Sequence, residues 1–485
     1  MTHPSHHTLN SHHMNNSRPP KIVIIGAGSA IFGLGALSTM IQSPHLHGAE
    51  FALCDIDEAG LATMTALAHK MNEAWDAGLT ITSSTNRRDL LLGADFVIVS
   101  IQVGQREEVW EMDWQIPLKH GVRQPYAENG GPGSFSHTAR NLPPLLAIAH
   151  DMEDLCPNAY YLNLVNPLIR LTLGISRYSS IKVVGLCHQQ LWGYAMAGAI
   201  FADRFDIPLP DHFHVHTDAD NMPNFIPVAR KALEHLEIKA AGINHFSWVY
   251  EIRDKATGED LYPELRDRWL YHTRKDFEPL TREMFEIYGL MPTPGDSHLC
   301  EFLQHVSNPL TKPWERYDLK LQSWEGNRRR RAYRKALAEA IVAGEKSVEE
   351  LRDVYRHAML DEGVPEMIAG VWYNTNHYHN QLNIPNRGFI PNLPDEAIVE
   401  VPGVINSFGF QGLTFPMLPE SIAEMCRREL ALASMYVDAA ATGDRMLALQ
   451  ALLLDPMVTD IEQGKAILAD LLTAFRQYLP QFEGE

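Results

Sequence analysis

A glycine loop between a short apolar strand and a helix is the feature that most restricts how this chain can fold. The β-branched run Lys21–Ile25 closes on Gly26 and Gly28, and an apolar helical stretch follows. Glycines at such a point allow a tight turn and let backbone N–H groups approach a pyrophosphate at the start of a helix. Asp55 ends the next predicted strand, where a carboxylate can bind ribose hydroxyls. The loop, which includes Ser29, is therefore predicted to bind a dinucleotide, and the acid favours NAD over its 2′-phosphorylated relative.

Strand-like and helical segments alternate through the first part of the chain. Further strands are predicted at 50–55, 94–100, 160–163 and 181–186. Continuous apolar strands between helices are typical of a parallel sheet that is covered on both faces. We therefore predict the α/β class: a flexible His-rich leader at 1–20, a doubly wound dinucleotide-binding domain at 21–205, and a mixed α+β domain at 206–485.

Composition limits the classes of partner. The 485 residues carry a net charge of −19, which argues against a nucleic-acid or anionic-membrane surface. No apolar run approaches the roughly 18 residues needed to span a bilayer. Five widely spaced cysteines, an odd number, fit reduced thiols in a cytoplasmic protein. The basic run Arg328 to Arg331 is predicted to form a solvated helix face.

A thiol and an imidazole follow one of the predicted strands. Cys187 and His188 come directly after the strand at 181–186, and a second loop ends in His245. Cys187 and His245 could bind a divalent ion, with positions left open for a substrate. The alternatives are that Cys187 is only a small buried apolar side chain and that His245 is only hydrogen-bonded.

Three loops are more polar than a plain core would require. Asn163 and Asn166 leave one predicted strand, and a glycine-rich loop at 128–133 precedes a helix with His137 and Arg140. A third segment, at 295–301, offers two acids and an imidazole within a short stretch. Each loop could also be an ordinary turn.

The order of these motifs resembles glycoside hydrolase family 4. GAGS with DID, GGPG…R, NLVNP, GLCH, AGINHFSW and NLPDEAIVEV follow one another between about residues 21 and 456. The family consists of NAD- and Mn2+-dependent glycosidases related in fold to lactate and malate dehydrogenases. It is an exception to the usual mechanism with two carboxylates. The resemblance implies transient oxidation at C3 of the sugar, removal of the C2 proton, elimination at C1, addition of water, and re-reduction.

The resemblance also implies roles for individual residues. Cys187 and His245 match the Mn2+ ligands, and His188 matches the acid that protonates the leaving group. Asn166 matches a substrate-binding asparagine, which Asn163 supports.

The base that removes the C2 proton and the contacts to the substrate are less directly implied. Relatives that act on phosphorylated sugars use a tyrosine base, but GDSHLCEFL has none. Asp296 and His298 are the candidates, with Asp296 ahead because burial can make a carboxylate more basic. Arg140 is a candidate contact for the substrate.

The Cys-His pair of GLCH implies an unphosphorylated α-glycoside, and the motifs are most similar to those of α-galacturonidases. The alternatives within the family are an α-galactosidase, an α-glucosidase or an α-glucuronidase. Outside the family, the chain could be a sugar or 2-hydroxyacid dehydrogenase that uses NAD, or a non-catalytic NAD or sugar sensor. A homodimer or homotetramer is expected.

Overall fold

The fold is described from a computed structural model that covers residues 18–29, 32–124, 126–215, 221–356 and 363–483. The prediction of a flexible leader falls largely on residues 1–17, which lie outside the described residues. In the described ranges no helix combines the length and the apolar character that a membrane crossing requires.

Six parallel strands form one half of the sheet. They lie in the order β3-β2-β1-β4-β5-β6, which is the order of dinucleotide-binding folds. Their bounds are β1 (Lys21–Ile25), β2 (Glu50–Cys54), β3 (Thr80–Ser84), β4 (Phe96–Val99), β5 (Tyr160–Asn163) and β6 (Lys182–Gly185).

Antiparallel strands extend the same sheet beyond β6. The order continues as β10-β11-β7-β8-β9, and β12 pairs with β11. Their bounds are β7 (Leu236–Ile243), β8 (Phe246–Asp254), β9 (Met291–Pro292), β10 (His377–Pro385), β11 (Ile398–Asn406) and β12 (Gly409–Gly412).

Helices connect and cover these strands. Their bounds are α1 (Phe32–Gln42), α2 (Glu58–Ala74), α3 (Arg88–Leu91), α4 (Arg106–Lys119), α5 (Gly133–Leu155), α6 (Leu168–Tyr178), α7 (Gln190–Ile200), α8 (Met222–His235), α9 (Tyr262–Asp267), α10 (Pro279–Tyr288), α11 (Gly295–Leu299), α12 (Glu325–Ala343), α13 (Glu349–Arg356), α14 (Val364–Tyr373), α15 (Glu420–Thr442), α16 (Arg445–Leu454) and α17 (Ile461–Ala474). A π-helical turn (Arg268–His272) directly follows helix α9.

The α/β class is confirmed, with a parallel sheet first and mixed structure after it. One hydrophobic core contains residues from both parts of the chain, because α15 packs on α5 and α6. A second, smaller core lies around α7, α8 and the β7–β8 hairpin. The boundary at residue 205 stays a prediction.

Sheet topology brings distant loops together. Parallel strands end at the same edge of a sheet, so the loops after β1, β4, β5 and β6 lie side by side. Pairing of Asn383 with Gly185 and of Glu400 with Gly242 then connects β6, through β10 and β11, to the β7–β8 turn. His245 in that turn thereby comes close to Cys187.

Candidate active site

The glycine loop after β1 is held against two neighbouring strands. Gly26 has φ +93°, and a Cβ there would lie 2.1 Å from the carbonyl oxygen of Ser100. The backbone N–H of Gly28 donates to Oδ2 of Asp55 at 2.8 Å, and a Cβ on Gly28 would lie 2.9 Å from that carboxyl group. Both positions therefore need glycine, and the loop has the close backbone approach that binding of a pyrophosphate requires.

A single cavity of about 1380 Å³ begins at this loop. Gly26, Gly28, Ser29 and Asp55, the residues of the predicted dinucleotide site, line one part of it. Another part is lined by side chains from the predicted catalytic and metal sets: Asn166, Cys187, His188, His245 and His298. The volume exceeds that of a common ligand pocket, about 300–1,000 Å³, so it can hold a dinucleotide and a second molecule.

Cys187 and His245 face each other in the lining of this cavity. Sγ of Cys187 lies 3.4 Å from Nε2 of His245, and both side chains are buried. Two neighbouring ligands of one metal ion lie about 3.1–3.6 Å apart when the metal–nitrogen and metal–sulfur bonds are about 2.1 and 2.3 Å. The donor atoms and their spacing therefore fit a transition-metal ion.

The surroundings of His245 keep its imidazole neutral. Burial lowers the pKa of His245 well below its usual value, and the nearby rings of His298 and His188 lower it further. On the other ring nitrogen, Nδ1 lies 2.9 Å from the side-chain amide nitrogen of Asn129, which can only donate. A metal-binding histidine donates its second ring N–H to an acceptor. A metal ion on Nε2 therefore requires the amide of Asn129 to turn its Oδ1, which has no hydrogen-bond partner, towards Nδ1.

Two carboxylates and a second imidazole lie beside this pair. Oxygens or nitrogens of Glu128, His245, His298 and Glu301 all lie within 4.8 Å of one another. Burial raises the pKa of Glu128, and the neighbouring carboxylate of Glu301 raises it further. The cluster can thus hold a cation or a shared proton.

His298 and Glu301 form a hydrogen-bonded pair. Nδ1 of His298 lies 2.9 Å from Oε1 of Glu301, and the ring centroid of His298 is 4.2 Å from that of His245. The second oxygen of Glu301 accepts the backbone N–H groups of Glu128 and Asn129 at 3.0 and 2.8 Å. Glu301 is therefore fixed, and it orients the ring of His298.

Asp296, the favoured base, does not line the cavity. Its Oδ1 accepts the backbone N–H and the hydroxyl of Thr281, both at 2.7 Å, and its Oδ2 accepts the N–H of Leu280 at 3.0 Å. This carboxylate caps the first turn of α10. This position does not support the expectation that Asp296, rather than His298, is the base that removes the C2 proton.

The predicted substrate residues divide in a similar way. Asn166 lines the cavity and donates to Oε1 of Glu128 at 2.9 Å. Asn163 is fully buried, donates to the hydroxyl of Thr172 at 3.0 Å, and accepts the N–H of Val165, so it shapes the turn after β5. This geometry fits the supporting role predicted for Asn163.

Arg140 is a buried structural residue in this fold. Its two terminal nitrogens each donate at 2.7 Å to a carboxylate oxygen of Asp113, and neither side chain has exposed surface. Arg140 is not among the residues that line the cavity. The geometry therefore does not support a direct contact between Arg140 and a substrate.

The leaving-group acid predicted at His188 is placed in the cavity. Its ring stacks on Trp192 with centroids 5.5 Å apart. The stacking fixes the plane of the imidazole beside the Cys187–His245 pair.

Sequence reasoning missed several residues that line the cavity. They include Arg106 at the start of α4, Tyr126, and part of α12: Arg330, Arg331, Arg334 and Lys335. In the run predicted to form a solvated helix face, Arg328 and Arg329 are exposed, whereas Arg330 and Arg331 are half-buried and line the cavity. The sequence signal for Arg106 is its place just after a parallel strand, where ligand-binding loops occur.

These features define an α/β enzyme fold with a dinucleotide-type loop and a donor set suited to a transition-metal ion. A family model described as family 4 glycosyl hydrolase matches residues 21–197, and one for the C-terminal domain of the same family matches residues 240–458. The chain belongs to family 4 of the glycosyl hydrolases and is a glycoside hydrolase.

Relatives with several names align along nearly the whole chain. An α-glucosidase of Erwinia rhapontici is 30% identical, over 90% of this chain and 93% of that enzyme. An α-galactosidase of Bacillus subtilis is 29% identical, over 96% and 100%. An α-galacturonidase of the same organism is 26% identical, over 96% and 99%.

Solved structures show the same fold. A putative glucosidase LplD from Bacillus subtilis has a TM-score of 0.78 at 24% identity, with coverage of 94% of this chain and 100% of that one. The 6-phospho-β-glucosidase of Thermotoga maritima, solved with manganese, NAD+ and glucose-6-phosphate, has a TM-score of 0.73 at 21% identity, with coverage of 94% and 99%.

Proposed function

We propose that the chain is an NAD+- and Mn2+-dependent α-glycosidase that hydrolyses an unphosphorylated α-galacturonide. One observation carries the proposal: a single cavity joins the glycine loop and Asp55 to the Cys187–His245 pair. The names of relatives as α-glucosidase, α-galactosidase and α-galacturonidase support cleavage of an α-glycoside. The NAD+ and manganese named for a structural neighbour support the choice of cofactors.

Residues of this chain would hold both groups. The glycine turn at Gly26 and Gly28 would let the pyrophosphate approach the backbone, and Asp55 would accept a hydrogen bond from a ribose hydroxyl. Cys187 and His245 would bind the metal ion. When bound, NAD+ supplies reversible hydride transfer at C3 of the sugar, and the metal ion supplies Lewis-acid polarisation of the sugar oxygens.

We propose His298 as the base that takes the C2 proton. His298 lines the cavity, and Glu301 holds its Nδ1, which leaves Nε2 as the nitrogen that can accept a proton. A carboxylate that orients an imidazole and stabilises its protonated form is a common arrangement for a general base. Asp296 lacks such access, because three donors already engage its oxygens.

The roles of the remaining residues follow from their position. His188, in the plane set by Trp192, would protonate the leaving oxygen. Asn166, fixed by Glu128, would donate a hydrogen bond to a sugar hydroxyl.

Hydrolysis of an aryl α-galacturonide in D2O, with NAD+, Mn2+ and a thiol reductant, tests the mechanism. Deuterium at C2 of the released sugar, measured by NMR, is the expected result, because the C2 proton exchanges with solvent after its removal. Unlabelled sugar from an active preparation would contradict the elimination route. Stoichiometric accumulation of NADH would instead identify a dehydrogenase, and binding without turnover would identify a sensor.

The sugar is tested by comparing aryl α-galacturonide, α-galactoside, α-glucoside and α-glucuronide under the same conditions. The galacturonide is expected to have the highest kcat/KM. A higher value for one of the other three would replace the proposed substrate while leaving the family reaction in place.

We also propose a homodimer or homotetramer in a reducing, cytoplasmic compartment, with the division between domains near residue 205. All five cysteines are buried and none forms a disulfide, which fits such a compartment. Light scattering on the purified enzyme measures the number of subunits.

A further inference from the structure

Arg106 differs from the other arginines near the cavity in what its guanidinium contacts. It is the first residue of α4 and lies over the ring of Trp110, 5.1 Å from the ring centroid. Within the described ranges, no hydrogen bond or ion pair engages this guanidinium. Arg106 is half-buried in the wall of the cavity, and burial lowers the pKa of its guanidinium.

Two other arginines that line the cavity are already paired. Arg331 donates to Glu107 at 2.8 Å, and Arg87 pairs with Asp151 at 2.6 Å. A buried charge without a partner is costly, so structures usually supply one. Arg106 therefore has the free donors that a ligand anion would complete.

The position of Arg106 indicates which ligand anion would bind it. The ring of Trp110, over which Arg106 lies, is 6.2 Å from the ring of Tyr126. Tyr126 in turn lies 4.9 Å from His298, which belongs with Glu128 to the cluster around His245. Glu128 also accepts the side-chain amide of Asn166. Arg106 thus lies at the sugar-binding part of the cavity that Asn166 and the Cys187–His245 pair define.

We propose that Arg106 binds the C6 carboxylate of the substrate and thereby selects a uronic acid over a neutral hexose. The inference rests on the proposed function and names the residue that sets its substrate class. A guanidinium can donate two parallel hydrogen bonds to a carboxylate, and the aromatic ring of Trp110 supports the plane of the guanidinium. A neutral hexose offers only a hydroxyl at C6 and would leave the guanidinium without an anionic partner.

The variant Arg106→Gln in the enzyme loaded with NAD+ and Mn2+ tests this assignment. We expect kcat/KM for an aryl α-galacturonide to fall roughly 100-fold, as for loss of a charge-assisted hydrogen-bonded pair. With an aryl α-galactoside the value should change less than about threefold, since this substrate has no carboxylate. Arg106→Lys should be intermediate on the galacturonide, because it keeps the charge but not the planar pair of donors.

Arg328→Gln is the matched control, because it removes an exposed arginine that pairs with Glu111 of the same α4 at 3.2 Å. It should leave both substrates unaffected. Equal losses on the two glycosides with weaker NAD+ binding would assign Arg106 to the cofactor pyrophosphate and overturn the proposal. An unchanged ratio of the two kcat/KM values would overturn it as well.

Binding separates this inference from the proposed function. D-galacturonate should raise the melting temperature of the NAD+-loaded wild type more than D-galactose does, and Arg106→Gln should abolish that difference. If the wild type cleaves no galacturonide but retains this Arg106-dependent preference, the proposed substrate fails while the anion site stands. If D-galacturonate does not alter the melting temperature of the wild type, and Arg106→Gln does not alter it either, the assignment of an anion site to Arg106 is wrong.

Discussion

Two neighbouring regions of the molecule contain charged side chains, which are paired with each other in one region and line open space in the other. Between α4 and α5, Asp113 and Arg140 form a closed pair at 2.7 Å, and the hydroxyl of Ser136 also donates to that carboxylate. In the adjacent cavity, Arg106 and the Cys187–His245 pair line open space that a ligand can occupy. The closed pair stabilises the fold, whereas the groups in the cavity are placed to bind ligands.

This contrast is testable, because substitutions in the two regions should lower different properties of the enzyme. A change in the closed pair should lower stability, since it leaves a buried charge without its partner. A change in the cavity should lower activity and leave stability nearly unchanged, because those groups contribute to ligand binding.

The largest expected effect is that of Cys187→Ser. Its kcat/KM should fall by about 10³-fold or more, because a metal ion that loses a thiolate ligand loses several kcal/mol of transition-state stabilisation. The melting temperature should change little. Kinetics across a Mn2+ titration measure the loss, which higher metal concentrations should partly restore.

Cys156→Ser is the matched control, since Cys156 is also a buried thiol but does not line the cavity. It should leave kcat/KM unchanged. Undiminished Mn2+-dependent activity in Cys187→Ser would refute the ligand assignment and, with it, the contrast between the two regions.

The next effect is a loss of stability in Arg140→Met. Removing one partner of a buried ion pair costs about 3–5 kcal/mol, because the carboxylate of Asp113 is left without its partner. Urea denaturation measures the free energy of unfolding. The double variant Asp113→Leu/Arg140→Met should recover most of the loss, since it removes both charges. Full stability in Arg140→Met, with loss of galacturonide cleavage alone, would instead restore Arg140 as a substrate contact.

Local patterns were sufficient to predict the framework of the fold and part of the site. The apolar runs predicted β1, β2, β4, β5 and β6. They missed β3 (Thr80–Ser84), because that edge strand is largely exposed and carries four hydroxyl residues. The antiparallel strands β10 to β12 were missed too, and these are the strands that join β6 to the β7–β8 turn.

Partners distant in sequence explain what the sequence could not predict in the site. Arg140 was chosen from its motif, but its partner Asp113 lies 27 residues away on another helix. Burial alone favoured Asp296 as a base, whereas its three donors come from the first turn of α10, and Asp296, in α11, does not line the cavity. In α12, helical periodicity puts Arg330 and Arg331 on the face that meets the cavity.

The smallest effect on stability is expected at the exposed end of α5. Glu153 pairs with His150 at 2.9 Å and accepts the N–H of Ser180 at 2.6 Å. These partners lower the pKa of Glu153 from 4.5 to about 2. A carboxyl group with a lower pKa in the folded state stabilises the protein above its unfolded pKa, and this contribution is lost as the pH falls through the folded value.

Glu153→Gln should therefore lower the free energy of unfolding at pH 7 by only about 0.5–1 kcal/mol, since solvent screens an exposed pair. The difference from wild type should shrink as the pH falls below 4.5 towards 2. Urea denaturation of both proteins at a series of pH values measures it, with kcat/KM expected to stay constant at pH 7. A loss of stability as large as that of Arg140→Met would show that burial does not determine how strongly an ion pair on α5 stabilises the protein.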